Sequence, residues 1–240
     1  MKNLFLILCM SLLFQASFPV FAQLQKDVRY TYEVTIGKKT EAEFWLTEVD
    51  NVVFGEIRYK KGKKPIPLRG EQLKGRYRVL EFDSTGMISG VITGDLTRFL
   101  GNVEWFSPQT RTVLPIRLRV KQKTTLPESL RPKLGFTEGV YTFQYGTDDY
   151  VGHLSVERSG KDSVVLEINN VTGEPSHNLA TIDPVKVLIQ NNEIIYSINV
   201  ECEFRIRFFN SVAIVNYVNG KSRCGFGMNA SVDGIYWLSK

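Results

Sequence analysis

The chain has 240 residues, with 30 Lys and Arg against 25 Asp and Glu, two His and a formal net charge of +5. Aromatic residues make up 12% and charged residues 23%, which describes a globular chain of one large or two small domains. No stretch beyond the first 25 residues is long and apolar enough to cross a bilayer as a helix.

Lys2 is the only charge in those first 25 residues, and Leu4 to Phe14 is apolar except for Ser11. A polar break at Gln15, then Pro19 and Val20-Phe21-Ala22, complete the layout of an export leader. Residues 1–22 are therefore predicted to be a signal peptide cut between Ala22 and Gln23. Cys9 follows Leu8 rather than a small residue, so it belongs to the discarded leader and not to a lipid attachment site. The mature chain is expected in the periplasm or outside the cell.

From there the dominant pattern has period two. Val28, Tyr30, Tyr32, Val34 and Ile36 alternate with polar residues, as do Phe204, Ile206 and Phe208. Such alternation puts one face in a core and the other in water, the mark of antiparallel sheets. Turn residues recur at short intervals: Gly37-Lys38, Asp50-Asn51, Lys61-Gly62, Ser84-Thr85-Gly86, Ser159-Gly160-Lys161, Asn191-Asn192, Asn219-Gly220 and Asp233-Gly234. Many short strands at this spacing predict an all-β fold of two antiparallel modules, each a meander barrel or a strongly curved sheet. The stretch 121–136 breaks the alternation with Pro127 and Pro132 and reads as a linker between module 23–120 and module 137–240. The charge is uneven. Lys and Arg outnumber Asp and Glu by 21 to 13 over residues 23–136, whereas residues 137–240 carry 8 basic against 12 acidic.

In the first module, Lys60, Lys61, Lys63 and Lys64 surround Gly62 on one hairpin tip. They are the candidate contact for an anionic surface, set against the plainer role of lysine as guard of an exposed strand edge. No aromatic residues interleave there as base stacking would need, so nucleic acid is not the expected partner. Glycines recur at strand bends, in the pattern G-x-I-x-Y, P-I-x-L-x-G, L-E-F, G-x-x-x-G and G-x-x-E-W. Over Val52 to Leu118 this resembles repeats of uncharacterised exported proteins of Gram-negative bacteria, which implies a sheet curved enough to close on itself. Trp45 and Trp105 fall on strands, where a core position is commoner than a sugar platform.

In the second module, Cys202 and Cys224 are the two cysteines left after the leader. An even count in an exported chain reads as a disulfide. Turns near Asn210-Ser211 and at Asn219-Gly220 predict a three-strand meander whose outer strands the bond staples. The Cys-Gly-Phe-Gly element with its following Asp-Gly-x-Tyr resembles the C-terminal segment of exported bacterial proteins, some of them grouped with periplasmic lysozyme inhibitors. Two features argue against inhibition. The acidic or Ser-Gly protruding loop expected of such inhibitors is missing, and a basic chain would be repelled by a basic lysozyme.

Catalytic signatures are sparse. His153 and His177 are the two histidines, no G-x-S-x-G elbow accompanies them, and a disulfide would remove Cys224 as a nucleophile. Asp148 and Asp149 are adjacent and best placed in a turn. Asn170-Val171-Thr172 matches the glycosylation pattern, a match that a bacterial source would make empty. The sequence thus points to a non-enzymatic exported protein that binds or builds the cell envelope, with no cofactor and no metal. Its partner is an envelope component or another protein. The alternative is a periplasmic inhibitor of a hydrolase such as lysozyme.

Overall fold

A computed structural model describes Leu24 and residues 27–62, 64–73, 75–97, 102–146 and 150–239. The predicted leader, residues 1–22, and Lys63 of the basic tip lie outside them. The described residues form two eight-stranded antiparallel sheets, joined by a segment with a single 3-10 turn at Glu128–Leu130.

The first sheet runs β1 (Val28–Ile36), β2 (Thr40–Val49), β3 (Val52–Tyr59), β4 (Ile66–Leu73), β5 (Arg76–Phe82), β6 (Ile88–Gly94), β7 (Val103–Ser107) and β8 (Thr112–Thr125). Each strand pairs with the next, and β8 returns to β1 to close a barrel. Of the alternating positions named from the sequence, Tyr30, Tyr32, Val34 and Ile36 are buried, and Phe44, Leu46, Ile57, Leu68 and Val79 of the following strands join them in the core. Closure needs tight reversals. Between β2 and β3 both turn residues, Asp50 and Asn51, take positive φ of 50° and 66°, the backbone that matches the strand twist in a two-residue hairpin. Closure also needs strong bending. A Cβ on Gly55 would stand 2.0 Å from the Trp45 carbonyl oxygen, so the curve of β3 against β2 admits no side chain there.

The second sheet runs β9 (Gly139–Gln144), β10 (Val151–Arg158), β11 (Ser163–Val171), β12 (Leu179–Leu188), β13 (Glu193–Asn199), β14 (Cys202–Phe208), β15 (Val212–Ser222) and β16 (Gly234–Leu238). Its spatial order, β12-β11-β10-β9-β16-β15-β14-β13, is the same circuit, with β16 returning to β9. One join is missing. β12 and β13 start to pair at Gln190 and Glu193 around the positive-φ turn Asn191-Asn192, then separate without forming a ladder. A strap crosses one end of the resulting seam. After the Cys202–Cys224 disulfide, the chain crosses from the β14 side to β12, where the Gly227 amide donates to the Leu179 carbonyl at 3.0 Å and Asn178 Nδ2 to the Met228 carbonyl at 2.7 Å. Phe226 packs against the barrel core beneath it. The Cys-Gly-Phe-Gly element is therefore a closing strap.

Two sequence expectations change here. Asn219 and Gly220, with φ of 50° and 74°, do not reverse the chain. They lie inside β15, where the register against β14 jumps between Phe204↔Tyr217 and Cys202↔Ser222; their positive φ serves a bulge. The disulfide consequently joins the ends of neighbouring strands rather than the outer strands of a meander. Asn170, the residue of the glycosylation pattern, is fully buried, and its Nδ2 donates to the Ser231 carbonyl and the Tyr236 hydroxyl. In addition, β8 runs to Thr125, so the first residues of the stretch read as a linker pair with β1.

The barrels meet face to face through β3–β6 of the first and β15 and β16 of the second. Outward-facing Val52, Phe54, Leu80 and Phe82 join one apolar cluster with Val212, Ile214 and Ile235. Phe82 stacks on Trp237 with centroids 5.3 Å apart, and Phe54 meets Phe209 edge-on at 5.1 Å. Arg69 lies over both the Phe54 and Trp237 rings and donates to the Leu68 and Gly55 carbonyls; burial pulls its guanidinium down to about 10. Beside it, Glu71 is buried, paired with Arg78 at 2.8 Å and accepting from Asn216 of β15 at 2.6 Å.

Candidate functional site

In an up-and-down barrel, alternate turns gather at the same end. The β1–β2, β3–β4, β5–β6 and β7–β8 turns therefore share one mouth of the first barrel. A chamber of about 390 Å3 opens there, lined by Ile36, Ile66, Leu114, Tyr59, Trp105 and Glu81, with Thr40, Ser89, Ser107 and Gln109 at its edge. The opposite end is filled. Leu24 and Leu96 are buried there, the Leu24 amide donates to the Tyr77 hydroxyl, and that hydroxyl donates to Glu48.

Glu81 is the unusual residue of the chamber. It is 2% exposed, and its Oε1 accepts from the Tyr59 hydroxyl at 2.7 Å and from Trp105 Nε1 at 2.9 Å. Burial raises its pKa, and the hydrogen bonds from Tyr59 and Trp105 only partly offset this. Gly90 makes the arrangement possible, because a Cβ there would stand 2.4 Å from Trp105 Nε1 and 2.8 Å from the Glu81 carboxyl. The Tyr59 hydroxyl is pushed strongly upward in turn by burial and by Glu81. The chamber thus has apolar walls and a carboxyl floor already held by two donors.

The linkage has a definite sign. A carboxyl whose folded pKa is raised contributes stability that is complete below the ordinary Glu range and is lost as pH climbs through the raised value. Glu81→Gln keeps an oxygen acceptor for Tyr59 and Trp105 but cannot ionise. Thermal melts are expected to show the variant gaining on the wild type as pH rises from 4 to 8. Glu48, raised by burial too, leaves a residual slope in both proteins. Parallel profiles for the two would show that Glu81 does not titrate in this way.

The basic tip forms part of the mouth's rim. Lys60, Lys61 and Lys64 are on the β3–β4 turn, Lys61 and Lys64 exposed, and Lys38 and Lys39 are exposed on the neighbouring β1–β2 turn. Lys60 is paired with Glu41 at 2.5 Å, so it offers less free charge than the sequence suggests. Sequence reasoning found the lysines but not Glu81, whose place in Val79-Leu80-Glu81-Phe82 looks like any strand position. The available signal was a carboxylate at an inward-alternating position, Val79 and Glu81 sharing one face.

Of the other residues singled out, Trp45 faces outward, with Arg29 over its ring at 4.1 Å and its Nε1 donating to Glu56. His153 is exposed on β10, opposite Thr142 and Asn169. His177 is exposed in the turn before β12. Asp148 and Asp149 lie outside the described residues. Among the described residues, no three His, Cys, Asp or Glu gather as a metal site would require, and no helix is long and apolar enough to cross a membrane.

Fold and site together define an all-β protein of two tandem up-and-down barrels, one with an open mouth. No protein-family model matches the chain, and no curated protein does. A crystallised protein of unknown function from the DUF3598 family of Nostoc punctiforme PCC 73102 is similar over 80% of this chain and 79% of its own, at 13% identity and a TM-score of 0.27.

Proposed function

We propose that the protein is a non-enzymatic, exported binding protein of the cell envelope, and that the mouth of its first barrel takes an anionic amphiphile. The observation that carries this reading is the coincidence of a small apolar chamber and a lysine rim at one end of one barrel. Eight strands enclose an interior that is either filled by side chains or holds one small ligand, and here the mouth end is open while the far end is plugged. The apolar part of the ligand enters between Ile36, Ile66 and Leu114. Its anionic head stays outside against Lys38, Lys39, Lys61 and Lys64, where the local field attracts it. The leader-like N-terminus and the disulfide support export. The exposure of His153 and His177, both on the second barrel, supports a binding role rather than catalysis.

Laurate is a suitable probe, followed by tryptophan emission, since Trp105 lines the chamber. Saturable binding to the mature chain is expected. Replacing Lys60, Lys61, Lys63 and Lys64 together by Ser should weaken it by about tenfold at low salt, with the gap closing as added salt screens the rim. Unchanged affinity in that variant would remove the rim from the reading. Failure of the intact chain to bind laurate at all would end it.

A further inference from the structure

We infer that the cleft between the two barrels is a second ligand site, built for a neutral saccharide. Both barrels supply its walls. Arg78, Val91 and Phe106 come from the first, and Phe143, Tyr145, Tyr150 and Asp233 from the second, around a space of about 700 Å3. That lies within the ~300–1,000 Å3 typical of small-molecule sites, which favour interfaces between domains.

One side of the cleft is aromatic. The Tyr145 and Tyr150 rings are nearly parallel, 12° apart with centroids at 6.5 Å, and Phe143 meets both edge-on at 5.8 and 5.0 Å. The polar groups are mixed in kind. Arg78 gives Nη2 to Glu71 at 2.8 Å, and its guanidinium, on a side chain 34% exposed, has further N–H donors to offer. Asp233 supplies an acceptor, and Thr172, Ser176 and Asn229 supply groups that both donate and accept.

Charge narrows the ligand class. The Arg78 cation already has Glu71 as its partner, and Asp233 and Glu174 add two further carboxylates to the lining. An anion gains nothing from such a site, and a purely apolar ligand would strand its polar groups. A sugar ring fits both features, since its C–H face packs on aromatic rings while its rim of hydroxyls donates and accepts. This site is separate from the mouth of the first barrel and does not depend on what that mouth binds.

Isothermal titration of the mature chain with maltotriose, cellotriose and chitotriose tests the inference. At least one is expected to bind. Tyr145→Phe, which keeps the ring, should retain that affinity within about threefold, and Tyr145→Ala should lose about tenfold. Because Tyr145 also packs in the barrel interface, Ser176→Trp serves as a second variant. Ser176 is exposed at the rim, and an indole there fills the cleft without touching either core. It should abolish saccharide binding and leave laurate binding unchanged. No binding by any of the three trisaccharides, or wild-type affinity in both Tyr145→Ala and Ser176→Trp, would overturn the proposal.

Discussion

Replacing Cys202 and Cys224 by Ser is expected to lower the free energy of unfolding by about 3 kcal/mol, the chain-entropy value for a loop of this length. The bond spans a sequence separation of 22. Its local consequence is larger than that figure suggests, because it anchors the strap over the seam between β12 and β13. Without it the strap keeps its backbone hydrogen bonds, the Asn178–Met228 bond, and the packing of Phe226 and Ala230. The Leu179 carbonyl at the start of β12 then gains access to water. Urea unfolding of the double variant gives the global number. Amide exchange in residues 224–230 and along β12 and β13 should accelerate far more than in the first barrel. A stability loss under about 1 kcal/mol, with exchange unchanged at the seam, would show that the strap holds without its covalent anchor.

Glu71→Ala is expected to cost about 3 kcal/mol, the lower end of the range for removing one member of a buried ion pair. The low end applies because the Arg78 side chain retains 34% exposure while Glu71 retains 2%. Three losses combine: Arg78 keeps its charge without its partner, Asn216 loses the acceptor for its amide, and a void opens between two apolar faces. Since Asn216 lies on β15, the damage is shared by both barrels, and they should unfold in one transition in the wild type but separate in the variant. Differential scanning calorimetry distinguishes these outcomes. Replacing Glu71 and Arg78 together by Leu and Met should recover much of the loss, because apolar residues of similar volume substitute well for buried pairs. Two transitions already present in the wild type would mean that the interface does not couple the barrels.

The architecture was legible where one face of a strand is wet. Alternation at Val28–Ile36 and at Phe204–Phe208 marked strands now seen as β1 and β14, and the cysteine count identified the disulfide. Positive-φ residues were legible as bends but not as bends of a given kind. Asp50-Asn51 and Asn219-Gly220 look alike in sequence, yet the first reverses the chain and the second bulges β15, because only tertiary pairing decides whether the strand continues. The site was half legible. Lysines on a turn announce themselves, whereas Glu81 acquires its meaning from Tyr59 and Trp105, 22 and 24 positions away, a proximity that only barrel closure creates. The cleft was hidden for the same reason. Its walls come from opposite halves of the chain, and Tyr145 and Arg78 become neighbours through barrel docking alone.

In both barrels the opening and final strands are partners, β1 with β8 and β9 with β16. The polypeptide therefore departs from each ring beside the point where it arrived. A unit wired like this can be copied, dropped or inserted into an existing gene without rerouting anything around it. The two rings of this chain share that wiring, the first closed all round and the second left open between β12 and β13.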